Sequence, residues 1–341
     1  RQPSFRGYRI YVNDSVIEQG NRTNAWLDLY DDEKGLCVAK RYFWQSYPSA
    51  LEINGSKIYI RVMPIYYSIP FTHRAGEHKT HELFYYFHTN ENVSNMMQSL
   101  YNPLFAWANA SWYVDSLVFD FCTCYDIANF SDYEINNLAA INGSMGQYHS
   151  PTWESNLYEI REDPNYYGWL HFGDVRVVDE DSGLGQMNLQ YDFGYGMLLQ
   201  AIRLARLNEN WQRWFEMAEE ANRHTADIDV LHVDRGDPAH PSSYWIRWCW
   251  GGMFWHSPHE SPGLENPHRG SSPSTEFQFN RGMLSYYYMT GYEKALEAAM
   301  EVANNTRWRV MNGPGEPGYS GTTYDEARAP AQILQILIDA Y

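Results

Sequence analysis

Apolar and polar residues alternate along the first half of the chain and recur every third or fourth position along the second half. Leu51-Glu52-Ile53 runs into Asn54-Gly55 and re-emerges as Lys57-Ile58-Tyr59-Ile60-Arg61-Val62. Alternation on both sides of an Asn-Gly pair predicts a β-hairpin, because both turn residues tolerate a positive φ. His81 to Phe87 and Asp115 to Phe121 alternate in the same way and are expected strands. Past a polar, Pro- and Tyr-containing passage from Ser150 to Tyr167, the period changes to about 3.6 residues. Met197, Leu198, Ala201 and Ala205 share one helical face, and Trp211, Trp214, Phe215 and Ala218 share the face of a second helix.

The helical half repeats itself. Gly196-Met197-Leu198 opens a helix, turn and helix that closes at Ala221-Asn222, and Gly282-Met283-Leu284 opens a similar unit that closes at Ala303-Asn304. Asn208 and Gly291 occupy the turns. Helical hairpins of this kind bury their apolar faces by stacking on their neighbours, in a solenoid or a closed toroid. The expected architecture is multidomain α and β. An antiparallel β-sandwich covers residues 1–155, and an α/α toroid-like array of helical hairpins, too few for a full ring, covers 156–341. Equivalent ends of equivalent hairpins then face one side, so Asn188 to Asp192 and Ser274 to Arg281 line one opening. Helix N-termini there offer backbone N–H groups to anions.

Composition narrows the partners. The chain has 341 residues and a net charge of -17, which argues against general nucleic-acid binding and requires a local basic patch for any anionic substrate. No apolar run approaches the roughly 18 residues of a membrane span. The chain starts at Arg1 with neither an initiator Met nor a signal peptide, as expected of a processed secreted protein or a fragment of a longer one. Asn-x-Ser/Thr sequons at Asn13, Asn21, Asn54, Asn92, Asn109, Asn129, Asn142 and Asn304 favour secretion and N-linked glycans. Of the four cysteines, Cys122 and Cys124 would share one face of a strand, so a disulfide from one of them to Cys37 is expected in an oxidising compartment. The alternative is four buried thiols. Cys249, between two tryptophans, reads as a core thiol.

Candidate chemistry concentrates between Arg223 and Arg281, which holds six of the twelve histidines beside arginine, acid and tryptophan. Flat aromatic faces beside proton-transfer groups and cations suit a sugar-processing cleft. His224, His232 and Tyr191 are candidates to take or give a proton, Arg269 and Arg281 to neutralise a carboxylate, and Asn280 and Glu276 to assist in binding. Trp169, Trp248 and Trp250 are candidate stacking platforms. Asp227 and Asp229, with the two histidines, are candidate ligands for a divalent cation such as calcium. Each role has a rival: histidines cap helices, aromatics fill cores, and His/Asp mixtures form ordinary hydrogen-bond networks. His78, His81 and Glu82 read as an interdomain or surface cluster, and Asp174 and Asp192 as loop-fixing acids.

Five segments stand out: Arg74-Ala75-Gly76-Glu77-His78-Lys79-Thr80-His81-Glu82, Trp169-Leu170-His171-Phe172-Gly173-Asp174, Asn188-Leu189-Gln190-Tyr191-Asp192, His224-Thr225-Ala226-Asp227-Ile228-Asp229, and His268-Arg269-Gly270 with Glu276. Through them the chain resembles the catalytic half of the YetA-like rhamnogalacturonan exolyase family over roughly residues 70 to 300. The resemblance implies β-elimination on an acidic, uronate-containing polysaccharide, with no cofactor required. Two other functions compete with it. One is a glycoside hydrolase using a carboxyl pair drawn from Asp174, Asp192, Asp229 and Glu276. The other is a non-enzymatic, glycosylated extracellular or filament-forming protein capable of self-association, which has kept an enzyme-like fold.

Overall fold

Strand formation in the first half follows the alternation. The computed structural model describes residues 7–64, 76–89, 93–119, 158, 161, 168–179, 183–187, 191–232, 250–253, 278–312 and 328–341. β1 (Tyr8–Val12) and β2 (Ser15–Gly20) form an antiparallel hairpin. Its turn residues Asn13 and Asp14 have φ of 46° and 63°, the left-handed pair that a two-residue turn demands. β3 (Trp26–Tyr30), β4 (Gly35–Lys40) and β7 (Leu83–His88) make a three-stranded antiparallel sheet in the order β3-β4-β7. β5 (Ala50–Asn54) and β6 (Lys57–Arg61) are the expected Asn-Gly hairpin, with Gly55 at φ 59°. β8 (Val175–Asp179) and β9 (Gly183–Met187) form one further hairpin.

One face of the three-stranded sheet carries Cys37, Ala39, Phe84 and Tyr86 and is covered by α1 (Ser94–Tyr101) through Val93, Met97 and Leu100. Cys37 is a free, buried thiol, so the expected disulfide from it is not formed. Burial, then Asp28, pushes its pKa up to about 11. Cys122, Cys124 and Cys249 lie outside the described residues.

The expected strand from Asp115 is corrected. Ala110–Ser116 is helix α2. The Asn109 side chain accepts from Ser111 N at its start, and Leu117 adopts the left-handed conformation at its end. A local cap and a buried Val114 therefore outweigh a short alternation.

In the second half the expected helical faces form the core. α3 (Phe193–Arg206) and α4 (Gln212–His224) bury Leu198, Ala201, Ile202, Trp214, Phe215 and Ala218 against Met283, Leu284 and Tyr286 of α5 (Arg281–Thr290). α6 (Glu293–Asn312) adds Ala295, Ala298, Ala299 and Val302, a row of small residues that lets its neighbours approach closely. Each large apolar side chain buried here contributes about 1.5–3 kcal/mol. α7 (Arg328–Ala340) lies against α6 and α5.

The helical repeat holds, in a different register. Gly194 and Gly282 are each the second residue of their helices, two positions earlier for α3 than the Gly-Met-Leu match suggests. A Cβ on Gly194 would sit 2.6 Å from the Asn222 side chain, and one on Gly282 would collide with Asp192 and Asn222. Gly196 faces open space. The turns agree: Asn208 and Gly291 have φ of 58° and 72°. α7 departs from the pattern. Asn280 Nδ2 donates to Ile336 O at 3.2 Å, and Arg281 Nε lies 3.0 Å from Asp339 Oδ2. The C-terminal end of α7 therefore meets the start of α5.

Sheet and helices are joined by a buried ionic clasp. Arg41, just after β4, donates to Glu82 at 3.1 Å and to Glu219 of α4 at 2.8 Å. Arg223, one turn past Glu219, reaches Glu82 as well and donates from Nε to Tyr286 Oη at 2.9 Å. Tyr286 in turn donates to Glu219 at 2.7 Å. Two arginines face two carboxylates, so the cluster is neutral as a unit. The described elements thus form a mixed α and β fold, with small antiparallel sheets and two short helices followed chiefly by longer helices.

Candidate functional site

The stretch that concentrates histidine and acid begins where α4 loosens. Thr225–Asp229 continue α4 as one π-helical turn, whose extra residue re-aims the side chains around it. The segment Gly76–Glu82 straps across this turn. His78 N donates to Asp227 O at 3.1 Å and His232 N to Gly76 O at 2.7 Å. The Asp227 carboxylate accepts from Thr80 N at 2.8 Å and Thr80 Oγ1 at 2.7 Å, with Lys79 Nζ at 3.8 Å. His78, Lys79, Thr80 and Glu82 thus lie where the first half meets the helices.

His232 is held at both ring nitrogens. Nδ1 faces Glu301 Oε2 at 2.5 Å and Nε2 faces Ala226 O at 2.7 Å. His78 stacks on this ring with centroids 4.2 Å apart. Burial, then His232 and Lys294, lowers the pKa of His78.

His224 is wholly internal. Nδ1 lies 3.1 Å from Phe172 O, and Nε2 lies 3.3 Å from Asp229 Oδ1 and 3.9 Å from Asp174 Oδ2. Burial alone would lower its pKa, but Asp229 and then Asp174 outweigh it and hold the value above the ordinary imidazole range. Trp169, 1% exposed, packs with Leu170 and Ile228, so it belongs to the core and offers no stacking face to a sugar. Gly173 permits this packing: at φ 96° it lies where a Cβ would press on the Glu220 backbone and on His224.

A second group sits at the shared start of α3 and α5. Asp192, itself left-handed at φ 60°, accepts from Tyr195 N at 3.1 Å with Oδ1 and from Gly282 N at 2.8 Å with Oδ2. One carboxylate thereby caps two helices. Burial pushes it up to about 6, against the pull of the two backbone bonds. Next to the bridged residues along the chain are Tyr191, 66% exposed, and Arg281, whose guanidinium pairs with Asp339 and lies 5.1 Å from the centre of the Tyr195 ring. Asn280 is 1% exposed and bonded to Ile336 O, which makes it a structural residue.

The candidate residues therefore divide. His224, His232, Asp227 and Asp229 are buried around the π-helical turn, and Tyr191, Asp192, Asn280 and Arg281 gather at the two helix starts. Among the described residues, no group of three or more His, Cys, Asp or Glu side chains is arranged to hold a metal. Asp227 is committed to Thr80 and Lys79, and Asp229 to Thr225 and His224. Trp250 is half-buried, and its carbonyl accepts from Asn305 Nδ2 at 2.8 Å. Trp248, Arg269 and Glu276 lie outside the described residues.

Sequence reasoning missed Glu301 and Glu219. Neither carries a motif, and each meets its partner only through tertiary packing. Among the sequons, Asn13, Asn21, Asn54 and Asn109 are exposed. Asn304 is exposed on α6, but its sequon partner Thr306 is buried and donates to Gln278 Oε1 at 2.8 Å. Asn92, Asn129 and Asn142 lie outside the described residues. No helix among the described residues is long and apolar enough to cross a membrane. Compared with known proteins, the chain matches no family model and no curated sequence.

Proposed function

We propose that this chain is a secreted, N-glycosylated polysaccharide lyase. Its β-rich half forms a sandwich, and its helical hairpins form a toroid-like array that acts on a uronate-containing polysaccharide. The observation that carries this reading is the side-by-side start of α3 and α5, bridged by Asp192, with an exposed Tyr191 and Arg281 next to the bridged residues along the chain. A uronate carboxylate competes with Asp339 for the Arg281 guanidinium, which then stabilises the negative charge that develops as the C5 proton leaves. The C5 proton passes to the Tyr191 oxygen acting as base, the C5–H electron pair forms the C4–C5 double bond, the C4–O4 bond breaks, and Tyr191 returns the proton to the departing O4. Tyr191 is the proton-transfer group among the described candidates that stands at the surface. His224 and His232 then act as scaffold, and Arg269, Glu276 and Trp248 complete the substrate contacts.

The test is incubation with pectic, ulvan-like and glucuronan polysaccharides, following ultraviolet absorbance of the unsaturated uronate product. Wild-type protein gives product, and Tyr191→Phe lowers the rate by at least about a hundredfold while melting unchanged. New reducing ends without unsaturation overturn the lyase reading in favour of a hydrolase. A second, non-enzymatic reading is supported by the apolar surface of the β1–β2 hairpin, and it prevails if neither product appears on any of these substrates.

A further inference from the structure

Lys40 closes β4 with its side chain buried, 1% exposed. Burying an ammonium is costly unless an anion meets it. Among the described residues none does: Lys40 Nζ lies 2.5 Å from Ser49 Oγ and 3.5 Å from Ser46 O. Lys79, by contrast, has the Asp227 carboxylate at 3.8 Å. Burial, then the positive charge of Lys79, pushes the pKa of Lys40 down to about 7. Near neutral pH a large share of the molecules therefore carry it as a free amine, whose lone pair can accept from the hydroxyl to which the ammonium donates.

Ser49 stands where such a base can be used. It ends the loop 41–49 that joins β4 to β5, and it is half-buried while its lysine partner is sealed. Backbone bonds pin this loop: Gly168 N donates to Gln45 O at 2.7 Å, and Trp169 N to Tyr47 O at 2.8 Å. The Ser46 carbonyl accepts from Ser49 Oγ at 3.3 Å as well as from Lys40 Nζ, so one backbone oxygen orients both side chains. A hydroxyl within hydrogen-bond reach of a base that a third group orients is the arrangement that activates a nucleophile.

We propose that Ser49 and Lys40 form a nucleophile–base dyad that takes the acyl group of small activated esters. Ser49 Oγ attacks the ester carbonyl carbon as its proton passes to the Lys40 amine. The bond from that carbon to the leaving oxygen breaks, the leaving group departs with the bonding pair as a stable anion, and an acyl ester remains on Ser49. Lys40 releases its proton to solvent. Water then attacks the acyl carbon while giving a proton to Lys40, and Lys40 passes it to Ser49 Oγ as the carboxylic acid leaves. A leaving group that departs as a stable anion needs no proton, which suits activated esters to a site with a single base. The dyad belongs to the first half of the chain and is independent of the lyase reading.

Reaction of the intact chain with 4-nitrophenyl acetate tests this. After an acid quench, peptide mass mapping should place an acetyl group on Ser49. Release of 4-nitrophenolate should rise with pH to a plateau, with its midpoint near the Lys40 value of about 7. Both measurements use the wild-type protein and decide the matter even if a substitution at buried Lys40 prevents folding. Ser49→Ala should abolish release above the chemical background, and Lys40→Met should slow it by at least about a hundredfold. Acetyl on Lys40 itself, or on other residues without Ser49, overturns the proposal. So does a rate that climbs about tenfold per pH unit without a plateau, as direct hydroxide attack does, or a folded Lys40→Met chain that reacts as fast as wild type.

Discussion

The ionic clasp and the N-terminal hairpin invert the usual placement of residues in opposite ways. The clasp hides charge: the side chains of Arg41 and Glu219 are 8% and 5% exposed. The hairpin shows apolar side chains that a core would normally take. Buried charge is tolerated where every ion meets an opposite ion in good geometry, and such clusters fix how parts fit more than they add stability. Exposed apolar area has no such internal remedy and calls for a partner. The clasp therefore sets the docking of the sheet on α4 and α5, and the hairpin contributes little to the fold that carries it.

The largest expected effect lies in the clasp. Arg223→Ala leaves Glu82 and Glu219 short of a buried countercharge and should cost about 3–5 kcal/mol in urea unfolding. Arg223→Lys should also lose stability, since an ammonium cannot reproduce the guanidinium fork between Glu82 and the Tyr286 hydroxyl. A loss below about 1 kcal/mol for the alanine variant would show that the clasp is solvated and would remove the contrast with the hairpin.

How much of this was legible in the sequence follows from distance along the chain. Helical faces are local, and Met197, Leu198, Ala201, Trp214, Phe215 and Ala218 all lie on the expected helices. The Asn54-Gly55 hairpin is legible for the same reason. The clasp and the histidine cluster are not local: Arg223 meets Glu82 at a separation of 141 residues, Arg41 meets Glu219 at 178, and His232 meets Glu301 at 69. Composition made Arg223 to His232 look like the wall of a cleft, whereas pairing of that length turns it into buried scaffold. The π-helical turn has no composition of its own, and without it the sides to which Asp227 and Asp229 turn cannot be read. At the helix starts, the placement of Asp192 beside Gly282 was readable from the repeat, but the shift to Gly194 was not. That shift depends on Asn222 filling the space a Cβ would need.

A smaller effect sharpens the comparison through pH. Lys40 is buried beside the clasp and has hydroxyl and carbonyl acceptors, Ser49 Oγ and Ser46 O, instead of a carboxylate. Burial, then Lys79, pushes its pKa from 10.5 down to about 7. The folded chain releases this proton near pH 7, whereas the unfolded chain keeps it up to the ordinary lysine value. The unfolded state thus holds more protons between the two values, and stability rises with pH across that window. The gain between pH 7 and 9 is roughly 2 kcal/mol at 1.36 kcal/mol per unit of pH. Lys40→Met should flatten this part of the stability profile, and an unchanged slope in the variant would assign the pH dependence to other groups.

The smallest effect is expected where the exposed apolar area is largest. Ile17→Asp should change the stability of the monomer by no more than about 0.5 kcal/mol, because an exposed bulge residue has few contacts to lose. Equilibrium urea unfolding at protein concentrations too low for association isolates this value. A loss of about 2 kcal/mol or more would mean that Ile17 is packed within its own chain and that the hairpin belongs to its core. A near-zero loss, set beside the loss from Arg223→Ala, separates the two regions by what each contributes to the fold. The clasp acts within the chain, where removing one charge strands two others. The hairpin carries no such coupled charges, so a substitution on its exposed apolar face leaves the fold intact.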